Sequence, residues 1–283
     1  MRRCRIRRIV ATLAGLCLLI EWMGTVARAE AADLHANTLA AFDRYVQLTE
    51  ARVDDERRGR RPFLWIEGLP EPQRREAEAG LRRGETVVSR LETRDAGRSI
   101  DVPDGMRHHW VGTVFAAGAR LDQTVTLMQA YDKYQDVYRP AVRRSRMMSR
   151  EGDHFDVYLQ LFMKKVIGVV LNTEYDVRYL SVAPNKLQVR SHTTRIAEVL
   201  QPDTPDEQEK PVGHDSGFLW RFNNYCALEE RDEGTYVQCE SVSLSRGIPT
   251  GLGWLIGPFV TSIPKESLEF TLGTIRTAVA KER

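Results

Sequence analysis

The chain has 283 residues, 42% of them hydrophobic and 28% charged, with 41 Lys and Arg against 39 Asp and Glu. A length of this order accommodates one or two domains with a substantial core. Aromatic content of 8%, scattered prolines and the lack of an internal repeat exclude a disordered chain, a collagen and a solenoid.

Residues 1–8 carry five arginines, residues 9–20 are all apolar or small, and Ala27-Arg28-Ala29 puts alanine at both positions a signal peptidase reads. This predicts a signal peptide over residues 1–29 and export, periplasmic or secreted. It also predicts no stable transmembrane anchor after cleavage, since Glu21 ends the apolar run short of the ~20 residues a span needs. Cleavage removes six arginines and Glu21, leaving 35 basic and 38 acidic groups and a net charge of −3. That balance gives no electrostatic basis for binding nucleic acid or an anionic membrane. The basic run Arg57-Arg58-Gly59-Arg60-Arg61 directly follows Asp54, Asp55 and Glu56 and reads as a solvated helix end.

Residues 30–105 read as a helical N-terminal extension. Leu34, Thr38, Phe42, Tyr45 and Thr49 share one helical face, and a second, polar helix is expected over 71–83. Between them Pro62-Phe63-Leu64-Trp65-Ile66 is an apolar knot that packs onto the main body, and 86–93 adds a short strand.

From residue 106 to 283 the pattern is that of a second region. A strand is expected over 108–117, then a helix over 123–134 with Asp122 as its N-cap, stopped by Pro140. Strands follow over 141–150, 154–165, 169–182 and 187–200, separated by turns too short for anything but antiparallel pairing. Val157, Leu159, Leu161 and Met163 share one side of their strand, and Leu171, Tyr175, Val177 and Tyr179 one side of the next, which predicts a sheet with one dry and one wet face. Strands at 218–228 and 235–244 flank the turn Glu229–Gly234. A hairpin folded about Asp232 and Glu233 sets Cys226 opposite Cys239, and an even pair of cysteines in an exported chain predicts a disulfide. A Gly- and Pro-rich passage over 247–258 is expected to bend over the sheet. The chain then closes in a helix opened by Ser262 and Pro264, whose Leu268, Leu272, Ile275 and Val279 form a stripe that needs the dry face as partner.

The run Leu127-Met128-Gln129-Ala130-Tyr131-Asp132-Lys133-Tyr134-Gln135-Asp136-Val137-Tyr138-Arg139-Pro140-Ala141-Val142-Arg143-Arg144-Ser145 resembles the START-like or SRPBCC superfamily of polyketide-cyclase and coenzyme-Q-binding type, in which a helix ending in an acidic-aromatic segment leads through a proline into the second strand. The order of elements agrees over 106–283. The resemblance implies an α+β helix-grip (Bet v 1-like) fold, a curved antiparallel sheet wrapped on a long C-terminal helix, and a cavity for an apolar ligand. It implies no activity.

Motifs for a nucleophile elbow, a P-loop, a dinucleotide fold or a zinc protease are missing from the sequence. His108 and His109, adjacent on a strand, point to opposite faces and cannot chelate one ion together; one is expected at the strand's start and one facing water. Glu174, Asp176 and Arg178, with Arg190 and His192 across the next strand, read as a solvated face carrying cross-strand ion pairs. No catalytic residue, metal site or cofactor is assigned. The leading reading is a non-enzymatic protein holding a hydrophobic small molecule or lipid between sheet and C-terminal helix. Its expected lining is Tyr131, Tyr134, Leu159, Leu161, Tyr175, Trp220, Leu268, Leu272 and Ile275. Two alternatives stand beside it: a cyclase or hydratase working through Glu174, Asp176 or His192, and a partner-binding module with a filled cavity that exposes 247–258 with Trp254.

Overall fold

An antiparallel sheet of nine strands organises the chain. The computed structural model describes residues 32–164, 168–247 and 253–281, so the expected signal segment 1–29 lies outside the described residues. The long strands are β1 (Val87–Arg90), β2 (Gly105–Ala117), β3 (Val142–Glu151), β4 (His154–Lys164), β5 (Gly168–Ala183), β6 (Lys186–Leu200), β7 (Arg221–Arg231) and β8 (Gly234–Arg246). They run in the order β1-β2-β8-β7-β6-β5-β4-β3, with the short pair Gln208–Glu209 added to β6. The helices are α1 (Ala36–Arg57), α2 (Glu71–Arg82), α3 (Leu121–Gln129) and α4 (Gly253–Lys281). Among the described residues no helix is long and apolar enough to cross a membrane.

The β7–β8 turn shows how sequence fixes register. Asp232 and Glu233 both adopt positive φ, the two-residue geometry whose twist matches that of the flanking strands. Every pair along the hairpin then follows, and Cys226 falls opposite Cys239 and forms the disulfide.

The C-terminal helix lies on the inner face of the sheet, where Leu268, Leu272, Ile275 and Val279 join Val114, Val157, Tyr175, Leu228 and Val237 in the main core. It begins at Gly253, well before the expected start at Ser262, and both Pro258 and Pro264 lie within it. A proline withholds one N–H from the helical ladder, and packing along a long sheet outweighs that local loss. Gly253 and Trp254, read as part of a bend, are therefore helical; residues 248–252 lie outside the described residues. The third helix is also shorter than expected: it ends at Gln129, and a 3₁₀ turn (Tyr131–Lys133) and a single helical turn (Tyr134–Val137) complete the segment. Its N-cap is Arg120 and Asp122 sits in its first turn, where Gln123 rather than Asp122 caps the N–H of Arg120.

The expectation of one wet face holds only for part of the sheet. Phe42, Tyr45 and Val53 of α1 pack with Tyr225, Val242 and Leu244 on the outer face. Phe63, Leu64, Ile66 and Leu81 pack there with Phe115, Ala227 and Tyr236. Strand β8 is consequently buried on both faces from Gly234 to Ser245. The outer face meets water toward β3, β4 and β5 and at His192 of β6, although Gln160 and Asn172 are buried there, Asn172 donating to Glu209.

Candidate functional site

Along α4 the inner face of the sheet changes character. Beneath Leu268 to Val279 it is apolar, formed by Val114, Val177, Val189, Leu228, Val237 and the disulfide. Farther along the same strands the inward positions become small and polar. Alternation from Val237 and Cys239 carries Ser241, Ser243 and Ser245 inward, while Val242 and Leu244 turn outward to α1. The register sets Trp110 and His108 beside Ser241 and Ser243 on one side, and Asn224 and Phe222 on the other. Thr193 extends this floor onto β6, opposite Tyr175.

Ser241, Ser243, Ser245 and His108 are each only 5% exposed. His108 Nε2 lies 3.0 Å from Ser245 Oγ. Burial, with a smaller push from Arg90, lowers the His108 imidazole from its ordinary value of 6.5 to about 4. Thr193 Oγ1 accepts the Phe222 N–H at 3.0 Å. Ser245 is thus engaged by His108, and Ser241 and Ser243 are small, buried side chains on the same side of the strand.

The tyrosines expected as cavity wall are differently engaged. Tyr179 and Tyr134 both donate to the Met128 carbonyl, at 3.0 and 2.5 Å, and Tyr131 donates to Tyr179 at 2.9 Å. Their polar tips are thus satisfied within the protein. Burial pushes the Tyr175 phenol up to about 12, against a hydrogen bond with Thr173.

Tyr131, Tyr134, Leu159, Leu161, Tyr175, Leu268, Leu272 and Ile275 gather in or against the one core between sheet and helix. Trp220 does not. It packs with Phe42, Tyr45 and Leu244 on the outer face, and its indole donates to Asp215 at 3.1 Å. Strand β7 starts only at Arg221, so the alternation that pairs 220 with 222 does not reach it, and the positive-φ Gly217 redirects the chain just before. The serine ladder and His108 are the residues that sequence reasoning missed. Their signal was present: in 237–245 the apolar residues switch from odd to even positions midway, which means different neighbours cover the two faces.

Glu174, Asp176 and His192 lie on the outer face, opposite in direction to Tyr175 and Val177. Asp176 is shared by His154 at 2.8 Å and Arg178 at 3.2 Å. His154, Asp156 and Asp176 bring one ligand atom each within 4.8 Å of one another, but these ion pairs and Ser149 occupy the carboxylates. The enzymatic alternative thereby loses its three candidates from the inner space.

His109, expected to face water, is buried because α1 covers it. Thr93 N–H donates to Tyr45 Oη at 2.7 Å, so the phenol proton points to His109 Nδ1 at 2.6 Å, and His109 Nε2 donates to Glu240 at 2.7 Å. Arg52 closes the chain on Glu240. A hollow of about 320 Å³ beside Arg90, Leu91, Glu92, Arg107 and His109 opens next to this network, on the outer side. A smaller one of about 120 Å³ lies where Phe162, Met163 and Lys164 meet Ile263, Glu266 and Ser267 of α4.

The order and packing of these elements make an α+β helix-grip fold, an antiparallel sheet packed on a long C-terminal helix. No protein-family model matches the chain, and none of the curated proteins does. Among solved structures it is similar to a STAR-related lipid transfer protein from Xanthomonas axonopodis, with 16% identity, TM-score 0.43, and coverage of 68% of this chain and 98% of that one. It is also similar to the Zhui aromatase/cyclase from Streptomyces, with 12% identity, TM-score 0.39, and coverage of 62% and 96%. The human StarD13 lipid transfer and protein localization domain gives 6% identity, TM-score 0.40, and coverage of 75% and 98%. Likeness of this degree says nothing of ligand or activity.

Proposed function

We propose that the protein is exported and holds a hydrophobic small molecule or lipid between the inner face of the sheet and α4. The observation that carries this reading is the packing of Leu268, Leu272, Ile275 and Val279 of α4 on the apolar inner face of the sheet, beside a stretch where the inward side chains shrink to Ser241, Ser243 and Ser245. The apolar half of that face would supply the driving force, at about 25 cal/mol per Å² buried, before ordering costs. The export signal in residues 1–29 belongs to the same proposal and is supported by its charged start, apolar run and small-residue cleavage site.

Titration with the uncharged probe N-phenyl-1-naphthylamine tests the reading. The account expects saturable fluorescence enhancement that Ser243→Phe removes without loss of folding, because a phenyl ring there takes the ligand's place. No enhancement by the folded protein contradicts it.

A further inference from the structure

We propose that the hollow beside His109, on the outer side of the sheet, is a second binding site, one that takes a small molecule by its carboxylate or phosphate group.

The hollow measures about 320 Å³ and is lined by Arg90, Leu91, Glu92, Arg107 and His109. That is enough room for a compact ligand. Arg107 is held in place there. Its guanidinium lies 4.3 Å over the Tyr45 ring, and Nη1 donates to the Ile100 carbonyl at 2.6 Å. Among the described residues its Nε and Nη2 make no hydrogen bond, and its one ion pair, from Nη2 to Glu92, spans 3.7 Å. Neither nitrogen is sealed from solvent. Arg90 is exposed at the end of the edge strand β1, and its side chain forms no ion pair or hydrogen bond with a described residue.

Glu92, the one carboxylate lining the hollow among the described residues, is already engaged. Oε1 accepts the Ser99 hydroxyl at 2.7 Å and Oε2 accepts Arg94 Nε at 2.8 Å, and these bonds hold the carboxyl below its ordinary value. Behind His109, the Glu240 charge is matched by Arg52. Arg90, Arg107 and the Arg94 that holds Glu92 therefore set three guanidiniums against one carboxylate. A cation entering here would meet a carboxylate whose oxygens are in use, and an apolar molecule would leave the Arg107 donors without water or partner. An oxyanion satisfies them, because the planar fork of a guanidinium matches carboxylate and phosphate oxygens.

Isothermal titration calorimetry with inorganic phosphate and with succinate tests the site, the ionic strength being held constant with sodium chloride. At least one probe is expected to saturate at one per chain, and the tighter of the two names the oxyanion. Arg90→Gln alters an exposed, unpaired side chain, so it should leave the melting temperature unchanged and weaken that probe about tenfold. Arg107→Lys keeps the charge but loses the fork and should weaken it several-fold. Glu92→Gln removes the negative charge from the lining and should tighten binding several-fold, which a purely structural role for these side chains would not produce. Three results overturn the assignment: neither probe saturates, the binding heat vanishes at matched ionic strength, or the affinity is the same in the parent, Arg90→Gln and Glu92→Gln proteins.

Discussion

A Cβ built on Gly112 would stand 2.6 Å from Leu272 Cδ1, with Val88 Cγ2 at 3.2 Å. Strand β2 therefore admits α4 at this point because it has no side chain there, and Leu272 is fully buried as a result. Gly112→Val should cost about 1–3 kcal/mol through overpacking. Leu272→Ala should cost about 2–5 kcal/mol through the cavity it leaves. Urea unfolding measures both; an unchanged midpoint for Gly112→Val would mean that the helix does not seat on this glycine.

The buried chain Tyr45–His109–Glu240–Arg52 ties α1 to the sheet. Burial alone would raise the Glu240 carboxyl, but the hydrogen bond from His109 and the Arg52 charge outweigh it and hold the group below its ordinary value. A depressed carboxylate contributes stability that is complete above its unfolded value and lost as pH falls through the folded one. Glu240→Gln should cost about 3 kcal/mol near neutral pH, since it leaves Arg52 facing a neutral amide. It should also flatten the acid limb below about pH 4.5. Denaturant unfolding from pH 7 to pH 3 checks both expectations.

His108 gives a separate pH signature. The unfolded chain takes up its proton below about 6.5 and the folded one only below about 4, so stability is full above 6.5 and declines as pH falls between these values. The gap corresponds to about 3 kcal/mol. His108→Asn should remove that slope, and a parent whose stability is level between pH 6.5 and 4 would refute the buried, uncharged imidazole.

The Cys226–Cys239 bond closes a short loop, with a sequence separation of 13. Chain-entropy reasoning assigns such a cross-link about 3 kcal/mol. The double variant Cys226→Ala/Cys239→Ala should lose stability of about that size, and thiol titration of the unfolded, unreduced chain lacking residues 1–29 should find no free thiol.

Which parts of this were legible in the sequence follows from what sets each feature. Strand alternation and short turns are local, so the antiparallel sheet, the hairpin register and the disulfide could be read directly. The stripe Leu268–Val279 could be matched to the dry face because no other apolar surface of that size was in view. Tertiary cover could not be read: α1 carries few large apolar residues, and that Phe42, Tyr45 and Val53 bury the outer side of β7 and β8 depends on where the extension lands. The same blind spot misplaced His109 and Trp220. The serine ladder escaped notice because alternating serines in a strand ordinarily face water, whereas Ser241, Ser243 and Ser245 are buried.

The most direct test of the central claim is native mass spectrometry of the freshly purified protein followed by solvent extraction. A noncovalent mass increment that organic solvent releases as an apolar molecule is expected. A bare protein mass with an empty extract, from a preparation that remains folded, would contradict it.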